Sequence, residues 1–473
     1  MVNSRIGFYK NHPIGNESYQ SYIPHKLPPQ PNIDLSKLSL KLEKANQAIG
    51  ELNAIARNVP NSSLFVYMYI REEALLSSRI EGTQSSFSDL LLFENHQKPD
   101  IAIDDVEEVS NYVKALTYGL DQIKATDGLP LSLRLLCDIH GILLQGTRGT
   151  SKQPGEFRTT QNWIGGTRPG NALFVPPAPE HLMEYLGDLE NFIHNRDLDN
   201  LIAIGLVHTQ FETIHPFLDG NGRLGRLLIT LMLCERDILT EPILYLSLYL
   251  KKNHQLYYDL LQRVRTDGCY EVWLEFFLDG IWYSAKQAVS TINQLNLLFE
   301  EDLAKIKGLG RMQYSCIKIW EYIKKLPQVT VPSLVKVNDL GMTAPTIRNC
   351  LEMLVKEGIL IETTGLQRYK IYVYKKYLSA LEEGTNTSMF EQSQIIQRVE
   401  KRGGIKFPWK VDLRGHVAKI EGIIEISFYV LGQKEFSIAN YRRIDTDPDI
   451  TRDQHLIEEA IFMIAKELKL FNL

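Results

Sequence analysis

The sequence predicts a mainly α-helical protein of several domains, and three observations carry that prediction. Apolar residues recur at three-and-four spacing over most of the chain as far as about Lys307. Strand-like patterns are confined to 163–177, to a short pair near 361–374 and to the segment 393–473. The 473 residues exceed what one hydrophobic core serves, so two or three domains are expected.

The elements follow in order. The first thirty-odd residues are rich in proline, tyrosine and asparagine (YIPHKLPPQPNID) and read as an extended surface arm. Helical periodicity begins at LSKLSLKLEKANQAIGELNAIA and returns over Leu64–Glu81. Further helices are predicted near 104–124, 131–145, 180–195 and 198–213. Between two of them, QNWIGGTRPGNALFVPPAPE sets a Pro-Gly-Asn turn between short apolar runs, the mark of a β-hairpin at 163–177. Helical patterns resume from Arg223 to about Lys307. From Arg311 the order is helix (YSCIKIWEYIKKL), short helix stopped by Gly341, helix opening at a threonine cap (MTAPTIRNCLEMLVKEGIL), then two strands around a glycine turn. That is the order of a winged helix-turn-helix. Residues 382–389 read as a linker, and 393–473 as alternating strands closed by an amphipathic helix (HLIEEAIFMIAKELKLF).

Composition narrows the function classes. A 44% hydrophobic, 23% charged chain is ordinary for a soluble globular protein, and its net charge of −5 does not steer the whole of it toward nucleic acid. The five cysteines, Cys137, Cys234, Cys269, Cys316 and Cys350, are scattered, and without a CxxC pair they support neither a disulfide framework nor a zinc site. A reducing cytoplasm fits them. The N-terminus lacks a signal peptide's apolar core, and no apolar run reaches membrane-spanning length, so no membrane partner is expected.

The chemistry concentrates in HPFLDGNGRLGR, residues 215–226. Gly220, Gly222 and Gly225 match GxGxxG, but a helical pattern precedes them where a dinucleotide fold requires a strand, and no GxxxxGK[ST] occurs. The glycines still allow Gly220-Asn221-Gly222 to turn backbone N–H groups inward as an anion nest, at the positive N-terminal end of the next helix. Arg223 and Arg226 fall one turn apart on one helical face and suit a polyphosphate. Asp219 borders the nest, where a carboxylate can hold Mg²⁺ against phosphate oxygens. His215 can take a proton from a hydroxyl at neutral pH. A base, a metal carboxylate, an anion nest and two arginines together make a site for nucleotidyl or phosphoryl transfer to a hydroxyl. His208, Glu212 and His215 also share a helical face, a spacing that raises zinc, but HExxH is absent and His208 reads as a core histidine.

This stretch resembles the signature of Fic-domain proteins, HxFx[D/E]GNGRxxR, with every defining position filled, and the resemblance covers roughly residues 60–290. It implies adenylylation, the transfer of AMP from ATP to a Ser, Thr or Tyr hydroxyl of a target protein. His215 would deprotonate the hydroxyl, Asp219 bind Mg²⁺, Gly220, Asn221 and Gly222 hold the α- and β-phosphates, and Arg223 and Arg226 hold the outer phosphates. Phe217 would anchor the loop, and the 163–177 hairpin would be the flap that pins the target segment. Tyr257 and Tyr258 border the adenine on this resemblance, or else pack in the core.

A second stretch, SSRIEGT, places Ser77 and Glu81 on one helical face, with Gly82 capping the helix. It resembles the Fic inhibitory motif [S/T]xxxE[G/N]. The resemblance implies that Glu81 pairs with Arg226, that ATP then binds unproductively, and that the inhibitory helix lies N-terminal to the core. The same glutamate serves AMP removal in some members.

Residues 311–380 hold 11 Lys+Arg and 5 Asp+Glu, a charge of +6, so the remainder of the −5 chain carries −11. Thr343, Thr346, Arg348 and Asn349 open a candidate recognition helix for DNA, although winged helices also dock proteins or dimerise. The expected architecture is an N-terminal arm and inhibitory helix (1–95), a Fic-type helical core with its hairpin flap (96–305), a winged helix-turn-helix (306–385) and a small α+β module (390–473). The expected function is Mg-dependent AMP transfer from ATP to a protein hydroxyl, restrained by Glu81. The rivals are transfer of another phosphate-containing group at the same loop, and a DNA-binding regulator whose core only senses nucleotide.

Overall fold

The computed structural model describes residues 5–14, 17–58, 62–94, 103–146, 152–366 and 370–382, four strands between 410 and 443, and residues 459 and 463. The chain divides into two compact units, 1–377 and 378–473.

The first unit is built on helices. After an antiparallel ribbon of β1 (Phe8–Ile14) and β2 (Glu17–Ile23) come α1 (Leu35–Asn58), α2 (Ser62–Ile80), α3 (Phe87–Glu94), α4 (Ile103–Lys124), α5 (Leu133–Leu143) and α6 (Leu182–His194). The centre is α7 (Asn200–Ile214), in which Leu201 to Ile214 are all buried. Its start is capped by Asp199, whose carboxylate accepts from the amides of Leu201 (2.9 Å) and Ile202. Then follow α8 (Asn221–Glu235), α9 (Ser247–Lys252), α10 (His254–Asp267) and α11 (Tyr270–Lys307). Gly205 lets α7 and α11 approach closely: a Cβ there would lie 2.7 Å from Leu274 and 3.1 Å from Phe277. The Gly205 carbonyl accepts from the indole of fully buried Trp273 at 2.9 Å.

The same unit continues through α12 (Gln313–Lys325), β3 (Gln328–Thr330), α13 (Val331–Val335), α14 (Ala344–Lys356), β4 (Ile361–Glu362) and β5 (Ile371–Val373), whose strands form an antiparallel sheet ordered β3-β5-β4. Buried Trp320, Ile347, Leu351 and Tyr372 fill its interior. Thr343 precedes α14 without capping it through its side chain; Thr330 does cap α13, in a reciprocal box with Ser333. Among the described residues α12 packs on α2, and β3 on α3, which ties this region to the N-terminal helices. Helix α15 (Lys375–Glu382) ends the first unit and begins the second.

In the second unit β6 (Lys410–Asp412), β7 (Val417–Ile420), β8 (Ile424–Val430) and β9 (Phe436–Arg443) form an antiparallel sheet in sequence order, with a register irregularity at Ser427/Phe428. The linker at 382–389 is described only at Glu382. Of the closing amphipathic helix only 459 and 463 are described. No helix among the described residues is long and apolar enough to cross a membrane.

Two expectations need correction. The N-terminal segment is not a plain extended arm: residues 8–14 and 17–23 pair in full register, Phe8 with Ile23 through Ile14 with Glu17, and His12 stacks on Tyr19 at 5.0 Å. Alternate side chains of each strand meet across the ribbon, and Tyr22 is buried beneath it. The hairpin at 163–177 narrows to one bridge, Ile164 with Phe174, around a single 3₁₀ turn at Pro169–Asn171. Pro176 and Pro177 have no N–H to extend the ladder, and Gly165 and Gly166 take left-handed φ of +68° and +69°. The outer side of the bridge is met by β2 instead, through the Tyr22 amide and the Val175 carbonyl at 2.9 Å.

Candidate active site

Helix α7 ends at His215, a non-glycine residue in the left-handed region (φ 49°, ψ 61°) whose amide still bonds the Phe211 carbonyl at 2.9 Å. That turn throws the imidazole back over the last turn of α7. The loop after it is braced from several sides. The Asn221 side chain closes a two-bond clasp on Phe217, accepting from its amide at 2.9 Å and donating to its carbonyl at 2.8 Å. Phe217 is fully buried and stacks on the His140 ring at 3.8 Å. Gly220 then takes a left-handed φ of +75° and starts α8. The first amides of α8 have no partner within the helix and face outward at its positive end.

Four residues that sequence reasoning missed hold this loop or its histidines. The Arg158 guanidinium donates to the carbonyls of His215 (2.9 Å), Pro177 (2.5 Å), Ile214 (3.3 Å) and Thr160 (3.4 Å). Asn162 donates to His215 (3.2 Å) and Phe217 (2.8 Å). His140 Nδ1 accepts from the Gly155 amide at 2.9 Å, so its Nε2–H donates to the Asp219 carbonyl at 3.0 Å. Burial, and then the Arg223 charge, push the His140 pKa down to about 4, although the Asp219 carbonyl bond opposes them. Arg265, buried in the wall of the pocket, donates to the Glu212 carbonyl (3.1 Å) and the Thr213 hydroxyl (3.2 Å). Each reaches at least one backbone atom more than fifty residues away, so no local motif announces them.

A cavity of about 770 Å³ opens over this loop. Of the residues predicted from sequence, it brings together His215, Gly222, Arg226, Tyr257, Tyr258 and Glu81, and adds Glu212, Arg265 and the flap residues Trp163, Leu173 and Phe174. Tyr257 is buried, its hydroxyl 2.9 Å from His208 Nε2, whereas Tyr258 is partly exposed. His208 bonds on both sides, its Nδ1 lying 3.1 Å from the Gly225 carbonyl, and burial pushes its pKa down to about 3. Gly220, Asn221, Asp219 and Arg223 do not line the cavity. Arg223 instead meets Glu108 at 3.3 Å and the half-exposed Asp219 carboxylate at 3.7 Å.

Arg226 is held from α2. Its Nε donates to the Ser77 hydroxyl (2.9 Å), and its Nη2 to the Ser77 carbonyl (2.9 Å) and to Glu81 (2.7 Å). Gly82, at φ +98°, turns the chain away one residue later. Gly222 makes the approach feasible, since a Cβ there would lie 2.4 Å from Glu81 Oε1. Burial raises the Glu81 pKa, but the Arg226 guanidinium outweighs it and holds the carboxyl below its usual range. His215 is depressed to about 3, by burial first and then by Arg265 and Arg158. Its ring is therefore neutral, and a fifth of its side chain remains open to the cavity.

Arg226 Nη1 and Arg223 Nε, both buried, have no hydrogen-bond partner. Arg226 lines the cavity, and a phosphate oxygen at the foot of α8 would satisfy its Nη1. Among the described residues no group of three or more His, Cys, Asp or Glu side chains is set to hold a metal. A Mg²⁺ carried by phosphates needs only one or two protein carboxylates, and Asp219, half-exposed just before the start of α8, is the carboxylate of this loop that could supply one.

Residues 39–121 match the family profile described as the Fic/DOC family N-terminal region, and 130–233 match the Fic/DOC family. The chain is 28% identical over 194 residues to the protein adenylyltransferase Fic of Drosophila grimshawi, covering 40% of this chain and 37% of that protein. It is 33% identical over 116 residues to protein adenylyltransferase fic-1 of Caenorhabditis elegans, covering 24% and 20%. The chain thus spans well under half the length of these curated relatives. A crystal structure of a Fic family protein from Desulfovibrio desulfuricans G20 superposes with a TM-score of 0.47 at 19% identity, over 73% of this chain and 97% of that one.

Proposed function

We propose that this chain, a member of the Fic/DOC family through residues 39–121 and 130–233, is a protein adenylyltransferase restrained by its own α2. The observation that carries the proposal is one cavity shared by a neutral, braced imidazole and the start of α8, with Arg226 beside them. His215 takes the proton of a target Ser, Thr or Tyr hydroxyl. The oxygen attacks the α-phosphate of ATP in line, the new O–P bond replaces the bond to the β-phosphate oxygen, and pyrophosphate leaves. The first amides of α8 receive the phosphates, and Tyr258 borders the base. Asp219 would hold Mg²⁺, which neutralises charge on the leaving pyrophosphate. The flap, with Trp163 and Leu173 exposed at the mouth, receives the target chain.

The brake is the α2–α8 contact. While Glu81 holds Nη2, Arg226 cannot close on the outer phosphates, and ATP settles in a pose its attacker cannot reach. Glu81→Gly is expected to raise AMP transfer about 5- to 150-fold, the span of a coupling energy of about 1–3 kcal/mol. His215→Ala in that background is expected to lower it at least about 100-fold. Intact-mass analysis after incubation with Mg-ATP reads both as an added AMP. Label from the α-phosphate must appear on protein; label from the γ-phosphate alone would indicate a kinase and overturn the assignment.

The +6 charge of residues 311–380 favours a second role, contact with DNA through a winged helix that includes α12–α14. A gel shift with the full chain, weakening steeply as salt rises, supports it; absence of any shift at low salt removes it.

A further inference from the structure

The buried acid of this pocket has no part in the reaction just described. Glu212 lies on the last turn of α7, three residues before His215, and both line the cavity. Its Oε2 is 4.0 Å from His215 Nδ1. Glu212 Oε1 and His215 Nδ1 are both buried without a hydrogen-bond partner. A Cβ at Gly225 would lie 2.5 Å from Glu212 Oε1, so the glycine one turn into α8 leaves the space the carboxylate occupies. We infer that Glu212 is a positioning residue for His215: its carboxylate orients the imidazole through Nδ1 and balances the imidazolium that forms when Nε2 takes the hydroxyl proton.

The need for such a partner follows from what else faces the ring. Arg265 and Arg158 both disfavour a positive imidazole, whereas the Glu212 main-chain carbonyl and Glu81 favour it. The carbonyl is already engaged by Arg265 at 3.1 Å. Glu81 is committed to Arg226 at 2.7 Å and must withdraw for ATP to bind productively. Once it does, Glu212 is the carboxylate left beside the ring. The gap of 4.0 Å is one side-chain adjustment from a bond, and such contacts commonly close only when substrate is bound. The proton count is simple: the hydroxyl proton ends on Nε2, Nδ1 keeps its own, and Glu212 stays ionised throughout.

Ionisation of Glu212 therefore gates the base. Burial pushes its pKa up to about 7, with Arg226 and Arg265 pulling it down and Glu81 pushing it up. The rate should rise with pH as this carboxyl loses its proton, a limb that His215, already neutral, does not supply.

The inference rests on His215 being the base of the proposed reaction, and the test separates the two. In the Glu81→Gly background, Glu212→Gln is expected to lower kcat at least about tenfold with KM for ATP within about twofold, and to abolish the acid limb of the kcat profile. Glu212→Asp should recover part of both. Thermal melts confirm that each variant is folded. Independently of activity, ¹⁵N-edited histidine NMR on the full-length chain at pH 8, where Glu212 is ionised and His215 neutral, should show the His215 Nδ1 proton moving upfield in Glu212→Gln relative to the parent. An unchanged kcat and acid limb, or an unchanged Nδ1 proton resonance, overturns the pairing. AMP transfer surviving in Glu81→Gly/His215→Ala overturns the proposed function instead, and the Nδ1 proton resonance still decides the contact.

Discussion

The Arg158 guanidinium gathers the carbonyls of Thr160, Pro177, Ile214 and His215 around one planar group, buried to within 2% of full enclosure. Lysine cannot reproduce that fork. Arg158→Lys leaves buried carbonyls unpaired at about 1–3 kcal/mol each. It should lower the single-turnover rate of AMP transfer far more than it weakens equilibrium ATP binding; equal losses in both would refute a role confined to the histidine loop. His208 offers a second test. A single N–H arrangement satisfies both its partners, Nδ1 donating to Gly225 and Nε2 accepting from Tyr257, and its pKa lies near 3. ¹⁵N NMR should report a fixed Nδ1–H tautomer from pH 5 to 8. At this scale the sequence is legible where chemistry is contiguous. His215, Gly222 and Arg226 sit within twelve residues, and Ser77 and Glu81 within five. Arg158, His140 and Asn162 were illegible because they act on main-chain atoms tens of residues away, and one arginine or asparagine looks like any other until the backbone is in place.

Among the elements, the β1–β2 ribbon links the N-terminus to the flap. Gly7 starts it at a point with no room: a Cβ would lie 2.1 Å from the Ile23 carbonyl, and its amide donates to the Tyr22 hydroxyl at 2.8 Å. That hydroxyl donates in turn to the Arg265 carbonyl, and the Tyr22 ring packs on Phe174. Gly7→Ala should displace the ribbon from the flap. Hydrogen exchange is expected to quicken together at Tyr22 and across 162–176 while α7 and α8 stay protected; exchange confined to residues 8–14 would contradict the linkage. The ribbon had a signal that went unread, Gly15-Asn16 between FYKNHPI and ESYQSYI, two candidate strands around a turn dipeptide. Its proline and polar content masked it. The helices from α4 to α7 were legible to within two residues, because apolar spacing is a local property of each one; α3 had no prediction, the run from Arg223 to Lys307 breaks into α8 to α11, and α13 and α14 stop at Val335 and Lys356, short of the predicted ends.

For the whole molecule, buried ionisable groups set the response to acid. His140, His208 and His215, held neutral with pKa values pushed down to about 4, 3 and 3, favour folding above the usual histidine pKa, and that contribution is lost as pH falls from about 6.5 toward 3. Glu73 and Glu212, both pushed up to about 7, act in the opposite sense: their contribution is complete below about 4.5 and is lost as pH rises through 7. Between about 6.5 and 4.5 the two glutamates offset two of the three histidines and leave a net slope of one proton; below that range the histidines act unopposed, joined by Glu81 with its lowered pKa. Calorimetry should find a melting temperature that falls gently from pH 6.5 to 4.5 and steeply from 4.5 to 3; an equal slope across both ranges would contradict this assignment. What the sequence could not show is how distant segments meet.

One such meeting is α12 against α2. The helix that leads into Glu81 is touched by α12 of the segment after Arg311. If a molecule that segment recruits changes the affinity for ATP by nudging α2, thermodynamic reciprocity requires ATP to alter how tightly the recruit is held by the same factor. Titrating a captured ligand with and without nucleotide would expose this two-way signalling as a shift in affinity, and equal affinities would show that the two ends of α2 work in isolation.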